Sequence, residues 1–377
     1  MSALLWLAMA VNAAQLPYAV VGTGQTLCYG PFGVIPPPAP GQPYYGQDAQ
    51  SPGPAPTYKD NGDGTVSDLV TGLMWQKTPP VNHGAWAEAV AYAKTFTLAG
   101  YRDWRLPTIK ELFSLANLTG NIRTRTPYLD TRFFDFYYPD TNQGWRDIDS
   151  QYWSCNKYVG TTMYGDVSAF GYNFADGRIK AYPTGEGGHG PTARHYVRLV
   201  RGNLAYGQND FVDNRDGTVT DRATGLTWQQ ADDGQGRDWP TALAYCAGLD
   251  LAGHRDWRLP NVKELQTLVD YTHAPDATDP QFRGPAIDTR HFKVSSPELW
   301  FWSSTTHVEN GGAFYVSFGQ GSAYDQRTRQ FTLDAHGAGS MRSDPKTGDP
   351  RQWPQGFGPQ GDQLRIYNAV RAVRGGR

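Results

Sequence analysis

One nine-residue segment occurs twice. Asp60-Asn61-Gly62-Asp63-Gly64-Thr65-Val66-Ser67-Asp68 returns as Asp213-Asn214-Arg215-Asp216-Gly217-Thr218-Val219-Thr220-Asp221, and the shift of 153 positions then holds without a gap for dozens of residues. Trp75 falls on Trp228, Trp86 on Trp239, Tyr92 on Tyr245, and Arg102 to Pro107 on Arg255 to Pro260. Further on the spacing changes, yet Asp130-Thr131-Arg132 matches Asp288-Thr289-Arg290 and Val197 to Gly202 matches Val370 to Gly375. A period near 150 residues is a domain duplication rather than a solenoid repeat, and a chain of 377 residues has room for two such units. The units are expected at 57–203 and 204–377, after a lead-in at 14–56.

Each copy reads as strands, two helices, then strands. Asp63-Gly64 and Asp216-Gly217 supply the turn chemistry of a tight hairpin, followed by alternating strand residues. Trp86, Ala89, Val90 and Ala93, with Trp239, Leu243 and Cys246 in the second copy, recur at helical spacing, and Asp238 is an N-cap for the second version. Thr108 with Glu111, and Asn261 with Glu264, follow the capping-box pattern, so this recurrent Glu is read as structural rather than catalytic. The closing Val-Arg-x-Val-Arg segments alternate apolar and cationic residues, which predicts a strand with arginines 198, 201, 371 and 374 facing outward.

A formal net charge of −2 gives no broad basic face for nucleic acid. Residues 1–13 form a short apolar run ending in small residues, read as a signal peptide although no Lys or Arg precedes it. The run is too short to span a bilayer and no transmembrane segment is expected. The expected location is therefore secreted, periplasmic or cell-surface. Three cysteines, Cys28, Cys155 and Cys246, form no CxxC pair and are read as small buried side chains. Nine prolines between Pro31 and Pro56 predict a spacer, either a stalk or a tail wrapped on the first unit.

The segments Asp-Asn-x-Asp-Gly-Thr-Val, Thr-Gly-Leu-x-Trp, Trp-Arg-Leu-Pro-x-x-Lys-Glu-Leu, Trp-Ser and the terminal Val-Arg-x-Val-Arg resemble the Lcl C-terminal domain family from Tyr58 to Arg374. Members are mostly exported bacterial proteins of unassigned activity, named after a collagen-like adhesin whose C-terminal domain engages sulfated glycans. The order of elements is also similar to the C-type lectin-like fold of formylglycine-generating enzymes. The resemblance implies an α+β fold: two tandem C-type lectin-like domains, each a small twisted antiparallel sheet with two helices and long loops. No Gly-x-y collagen region is present, and the slight acidity does not favour sulfated glycans.

Under the lectin-like reading the ligand loops are 156–166 and 179–195 in the first copy, and 305–312 and the long 323–368 in the second. Asn156, Tyr158, Tyr164, His307, Glu309, Asn310, Tyr324, Asp334, His336 and Trp353 are the candidate ligand-binding residues, since aromatic faces with oriented polar groups grip sugars or peptides. Calcium is the one cofactor with candidate ligands, Asp60, Asp63 and Asp68 and their counterparts Asp213, Asp216 and Asp221. Their spacing departs from that of an EF-hand loop and suits a turn better. No nucleophile elbow, phosphate loop or repeated histidine pattern appears, and formylglycine-generating chemistry would need a cysteine pair that is absent. The expected function is therefore non-catalytic recognition of a glycan or a surface protein, adhesin-like. The alternatives are a structural or assembly protein of the envelope or an extracellular polymer, then a formylglycine-generating-type enzyme relative. An oligomer is compatible with each.

Overall fold

The computed structural model describes residues 16–188 and 190–376, so the expected signal peptide lies outside the described residues. In both copies the Asp-Gly turn forms as its chemistry requires. Asp63 accepts hydrogen bonds from the Thr65 amide and hydroxyl at 3.1 and 2.6 Å, and Asp216 accepts from Thr218 at 3.0 and 2.6 Å. Gly62 takes a left-handed backbone at φ 77°, and the second copy holds Arg215 in its place at φ 63°. That conformation costs a residue with a Cβ about 1–2 kcal/mol.

Each hairpin grows into a four-stranded antiparallel sheet. In the first copy the order is Tyr58–Asp60, Thr65–Asp68, Leu73–Gln76 and Val200–Gly202; in the second it is Phe211–Asp213, Thr218–Asp221, Leu226–Gln229 and Val373–Gly375. The helices are Trp86–Thr95 and Ile109–Ser114, matched by Trp239–Ala247 and Val262–Thr267. Asp238 caps its helix by accepting from the Thr241 amide at 3.1 Å. Both capping boxes are closed: Thr108 and Asn261 accept from the amides of Glu111 and Glu264, whose carboxylates accept from the amides of Thr108 and Asn261. Arg105 and Arg258 clamp the same carboxylates at 2.5–2.7 Å, which fixes both glutamates as structural.

The closing segments depart from simple alternation. Arg201 and Arg374 reach outward to Asp103 and Asp256, both at 2.8 Å. Arg198 and Arg371 are instead fully buried. Arg198 donates to the carbonyls of Gln76, Lys77 and Asp135 at 2.7, 2.5 and 2.5 Å, and Arg371 to those of Gln229, Gln230 and Lys293 at 2.7, 2.5 and 3.0 Å. These residues precede the paired strand, where the backbone no longer dictates a two-residue period, and each guanidinium turns inward to satisfy carbonyls at a strand end and in the segments beyond it.

The copies join through a six-stranded antiparallel sheet. Its order is Trp300–Thr306, Ala313–Ser317, Met341–Asp344, Ile179–Pro183, Ser168–Asn173 and Gln151–Lys157, and Met341 pairs with Ile179 at the seam. Of the regions expected to be ligand loops, 179–195 contains the strand Ile179–Pro183 and 323–368 contains Gln330–Asp334 and Met341–Asp344, whereas 156–166 and 305–312 begin with the last two residues of a seam strand and run on as turns. The extra length of the second copy flanks Met341–Asp344 and includes a hairpin of Ser322–Asp325 with Gln330–Asp334. One apolar core runs through both copies, from Ile109, Leu112 and Phe113 to Val262, Leu265 and Leu268. The capped helices exchange lysines across it: Lys110 Nζ donates to the Thr267 carbonyl at 2.7 Å, and Lys263 Nζ to the Ser114 carbonyl at 2.9 Å.

The proline-rich lead-in is neither a free stalk nor a wrap on the first copy. Gln25 Nε2 bridges the copies by donating to the carbonyls of Leu118 and Thr306 at 2.9 and 2.6 Å. Beyond a short hairpin, Cys28–Gly30 with Gly33–Ile35, the Tyr44 ring lies 6.1 Å from Trp239, and Asp48 accepts from the hydroxyls of Thr23 and Thr305 at 2.7 and 2.6 Å. Cys28 and Cys246 are buried, whereas Cys155 is exposed, against the expectation for that residue. The whole is mainly antiparallel sheet in several small sheets, with four α-helices among the described residues. No described helix is long and apolar enough to cross a membrane.

Candidate functional site

Strand alternation at the seam sets up a cavity. Ile179 and Ala181 face the core, which turns Lys180 and Tyr182 to the opposite side of the sheet; Met341 likewise faces the core and Arg342 does not. Lys180 and Arg342 share that face, each one position beyond the antiparallel Ile179–Met341 pair and on opposite sides of it. Around them opens a cavity of about 780 Å³ with walls from both copies. The first copy contributes Trp145, Arg146, Asp149, Arg178, Lys180 and Tyr182. The second contributes Tyr315, Arg342 and the turn carrying Phe357, Gln360 and Asp362, which is closed by reciprocal backbone bonds between Phe357 and Asp362 at 2.8 Å.

Charge dominates the floor. Asp362 accepts from the Arg342 guanidinium and lies 2.7 Å from His336 Nε2. Burial would raise the Asp362 carboxyl, but Arg342 and His336 outweigh it and hold the group far below the usual carboxylate range. Burial, reinforced by Arg342, pushes His336 down to about 3 and Lys180 down to about 7. Lys180 Nζ donates to the neutral Gln360 at 2.7 Å, while Arg178 pairs with Asp176 at 2.8 Å and Arg146 with Asp149 at 2.6 Å. Arg178 Nε and Arg342 Nη1 are buried donors with no partner among the described residues. On one wall His195 is packed between Trp153 and Tyr182 at ring distances of 4.3 and 4.4 Å, and burial drives it down to about 3, hence neutral. Fixed cationic donors beside aromatic faces suit a polar ligand that carries an acidic group.

Of the expected ligand residues, Tyr164 and Asn310 line this cavity and the others do not. Tyr158 is buried, its hydroxyl shared between Asp276 and Asp334 at 2.5 and 2.8 Å. Burial and then Asp276 push Asp334 up to about 7. His307 is buried, with Nδ1 2.7 Å from the Ser343 hydroxyl and Glu309 3.7 Å away. His336 reaches the cavity only through Asp362. Asn156 accepts from the Ile109 amide at 2.8 Å as part of a helix start, Tyr324 packs on Phe331, and Trp353 ends the short turn Pro350–Gln352. Asn156 and Tyr324 lie within strands, Asp334 ends one, and Tyr158 and His307 each directly follow one. The calcium candidates serve separate local roles: Asp60 accepts from the Gly62 amide and pairs with Lys77, Asp68 accepts from the Val70 and Thr71 amides, and Asp213 accepts from Arg215. Asp221 accepts from Asn209, Asp210, Ala223 and Thr224. Of the cavity residues missed in the sequence, Arg178, Lys180, Arg342 and Asp362, only Lys180 and Arg342 had a signal: a cation at the second position of the corresponding strand in each copy.

Residues 64–201 and 217–334 each match the Lcl C-terminal domain model. The chain belongs to the Lcl C-terminal domain family. No curated protein and no solved structure matches it. The second match stops at Asp334, before Met341–Asp344 and the closing strand Val373–Gly375, although both pair as their first-copy counterparts do. Arg342, Phe357, Gln360 and Asp362 thus lie beyond the Lcl match, and the cavity joins a matched wall to an unmatched one.

Proposed function

We propose that this protein is an exported, non-catalytic binding protein that holds an acidic glycan in the cavity between its two copies. The observation that carries this reading is the placement of Lys180 and Arg342 on a floor flanked by Trp145, Tyr182 and Phe357, within a volume of about 780 Å³. Sugar rings offer apolar faces to aromatic side chains and hydroxyls to Arg, Asp and Gln, and an acidic substituent matches donors that are already desolvated. The apolar run at residues 1–13 supports secretion to the periplasm or cell surface. The order of helix, strand pair and closing strand supports kinship with the C-type lectin-like fold, and the family resemblance supports an adhesin-like role.

The test is calorimetric titration of the full chain with neutral, carboxylated and sulfated oligosaccharides, alongside Lys180→Met. Acidic sugars should bind and neutral ones of the same length should bind far more weakly. Lys180→Met should weaken binding roughly tenfold or more, since a hydrogen bond to a charged group is worth about 1.5–3 kcal/mol. Equal binding of neutral and acidic sugars, or an unaffected Lys180→Met variant, would overturn the proposal.

A further inference from the structure

The two copies carry the same groove, and only one of the two is covered. In the second copy it runs beside the helix Trp239–Ala247, and Trp239, Leu243 and Cys246 are buried there. The lead-in covers it: Tyr44 lies over Trp239, Gly46 runs against Leu243, and the Asp48 carboxylate is seated on Thr305 beside Arg258 and Glu264. In the first copy the equivalent Trp86, Val90 and Ala93 are only part-buried, and Cys155 is exposed where Ser304 is buried. Arg105 keeps 29% of its side chain exposed against 9% for Arg258. The result is an open, mainly apolar groove of about 570 Å³ lined by Trp86, Val90, Ala93, Trp104, Arg105 and Cys155.

The covered groove shows what chemistry fills such a site, and the open one differs from it in a consistent direction. Val90 and Ala93 are smaller than Leu243 and Cys246, which leaves more room for an inserted ring. Lys94 and Lys157 stand where the second copy has Ala247 and Thr306, and Lys157 Nζ lies 4.7 Å from the Trp86 ring. Lys157 is held by Glu186 at 2.6 Å, so Lys94 on the groove wall and the more exposed Arg105 are the cations that complement a carboxylate in the position that Asp48 takes. We infer that the open groove of the first copy docks an extended acidic peptide of another protein, with an aromatic side chain on Trp86 and a carboxylate about four residues later beside Arg105. This site is separate from the seam cavity and does not depend on what that cavity holds.

Cys155 gives a local readout, because the other two thiols are buried. A synthetic peptide covering Pro40–Pro52 reproduces the ring and carboxylate spacing, and it would be titrated into the full chain while Cys155 labelling by a small maleimide is followed. Saturable protection of Cys155 is expected. Peptides with Tyr44→Ala or Asp48→Asn should need roughly tenfold higher concentration, the order expected for losing one anchor of a short ligand. Val90→Arg in the chain should abolish protection without shifting the thermal midpoint. Unchanged labelling at saturating peptide, or equal protection by the altered peptides, would overturn the inference. Protection that grows with protein concentration alone would assign the groove to a second copy of this chain and overturn the assignment to a separate partner.

Discussion

Replacing Arg198 by Met separates a buried structural cation from a solvated one. The guanidinium is fully buried, donates to three carbonyls, and lies 5.2 and 5.6 Å from the rings of Phe134 and Tyr152. Methionine keeps much of the aliphatic packing and removes every donor. A buried acceptor left unsatisfied costs about 1–3 kcal/mol, and since the Lys77 carbonyl still accepts from the Asp135 amide at 3.2 Å, the two remaining carbonyls together cost about 2–6 kcal/mol. Against this stands the recovered desolvation of an unpaired cation, worth several kcal/mol. A net loss of about 2–3 kcal/mol is expected once that recovery is set against the unsatisfied carbonyls. Arg201→Met is the control: its Asp103 partner is 61% exposed, and such surface pairs contribute about 1 kcal/mol at most. Urea unfolding of both variants gives the comparison directly. If Arg198→Met came within about 1 kcal/mol of Arg201→Met, the carbonyl-satisfying role would be refuted.

Burial pushes Lys263 down to about 7, well below its unfolded value, so the unfolded chain holds more protons between about pH 7 and 10. Stability should therefore rise with pH from about 7 to 9.5, and Lys263→Met should make that rise less steep in a thermal-midpoint profile, the remainder coming from Lys110, Lys180 and Lys346, which burial also lowers. Lys180, also lowered to about 7, should make affinity for an acidic glycan fall as pH climbs from 6 to 8, up to about tenfold per unit, in titrations at matched ionic strength. Gly339 has φ 98°, and a Cβ there would lie 2.6 Å from the Tyr271 ring, so Gly339→Ala should destabilise by more than about 2 kcal/mol in denaturant unfolding. Thiol titration should count one reactive cysteine in the native protein and three after denaturation.

Features set by short-range chemistry were legible in the sequence. The Asp-Gly hairpins, the two capping boxes and the Asp238 cap each depend on residues within a few positions of one another, and the duplication displayed the hairpin and the capping box twice. The burial of Arg198 and Arg371 was not legible, because a two-residue period assumes a strand and these residues lie just before one. Nor could periodicity reveal that Met341 pairs with Ile179, because that register is set by packing between copies and the strand is hidden between two insertions. The site suffered for the same reason. The sequence places Tyr158, Asp334 and His307 in loops, whereas Tyr158 and His307 are buried directly after seam strands and Asp334 at the end of a hairpin strand, and Lys180 and Arg342 on the cavity floor meet only after the copies associate.

The exchange of lysines between the capped helices has a consequence for how the chain can change over generations. A substitution at Lys110 is felt at the carbonyl of Thr267, and one at Lys263 at that of Ser114, so neither half can drift near the seam without the consent of the other. Away from the seam no such partner constrains the sequence, and there the halves have diverged. One groove is closed by a lead-in and the other is left open, and one strand turn is short where the other carries long insertions. The duplication has thus frozen its own axis and left its flanks free to specialise.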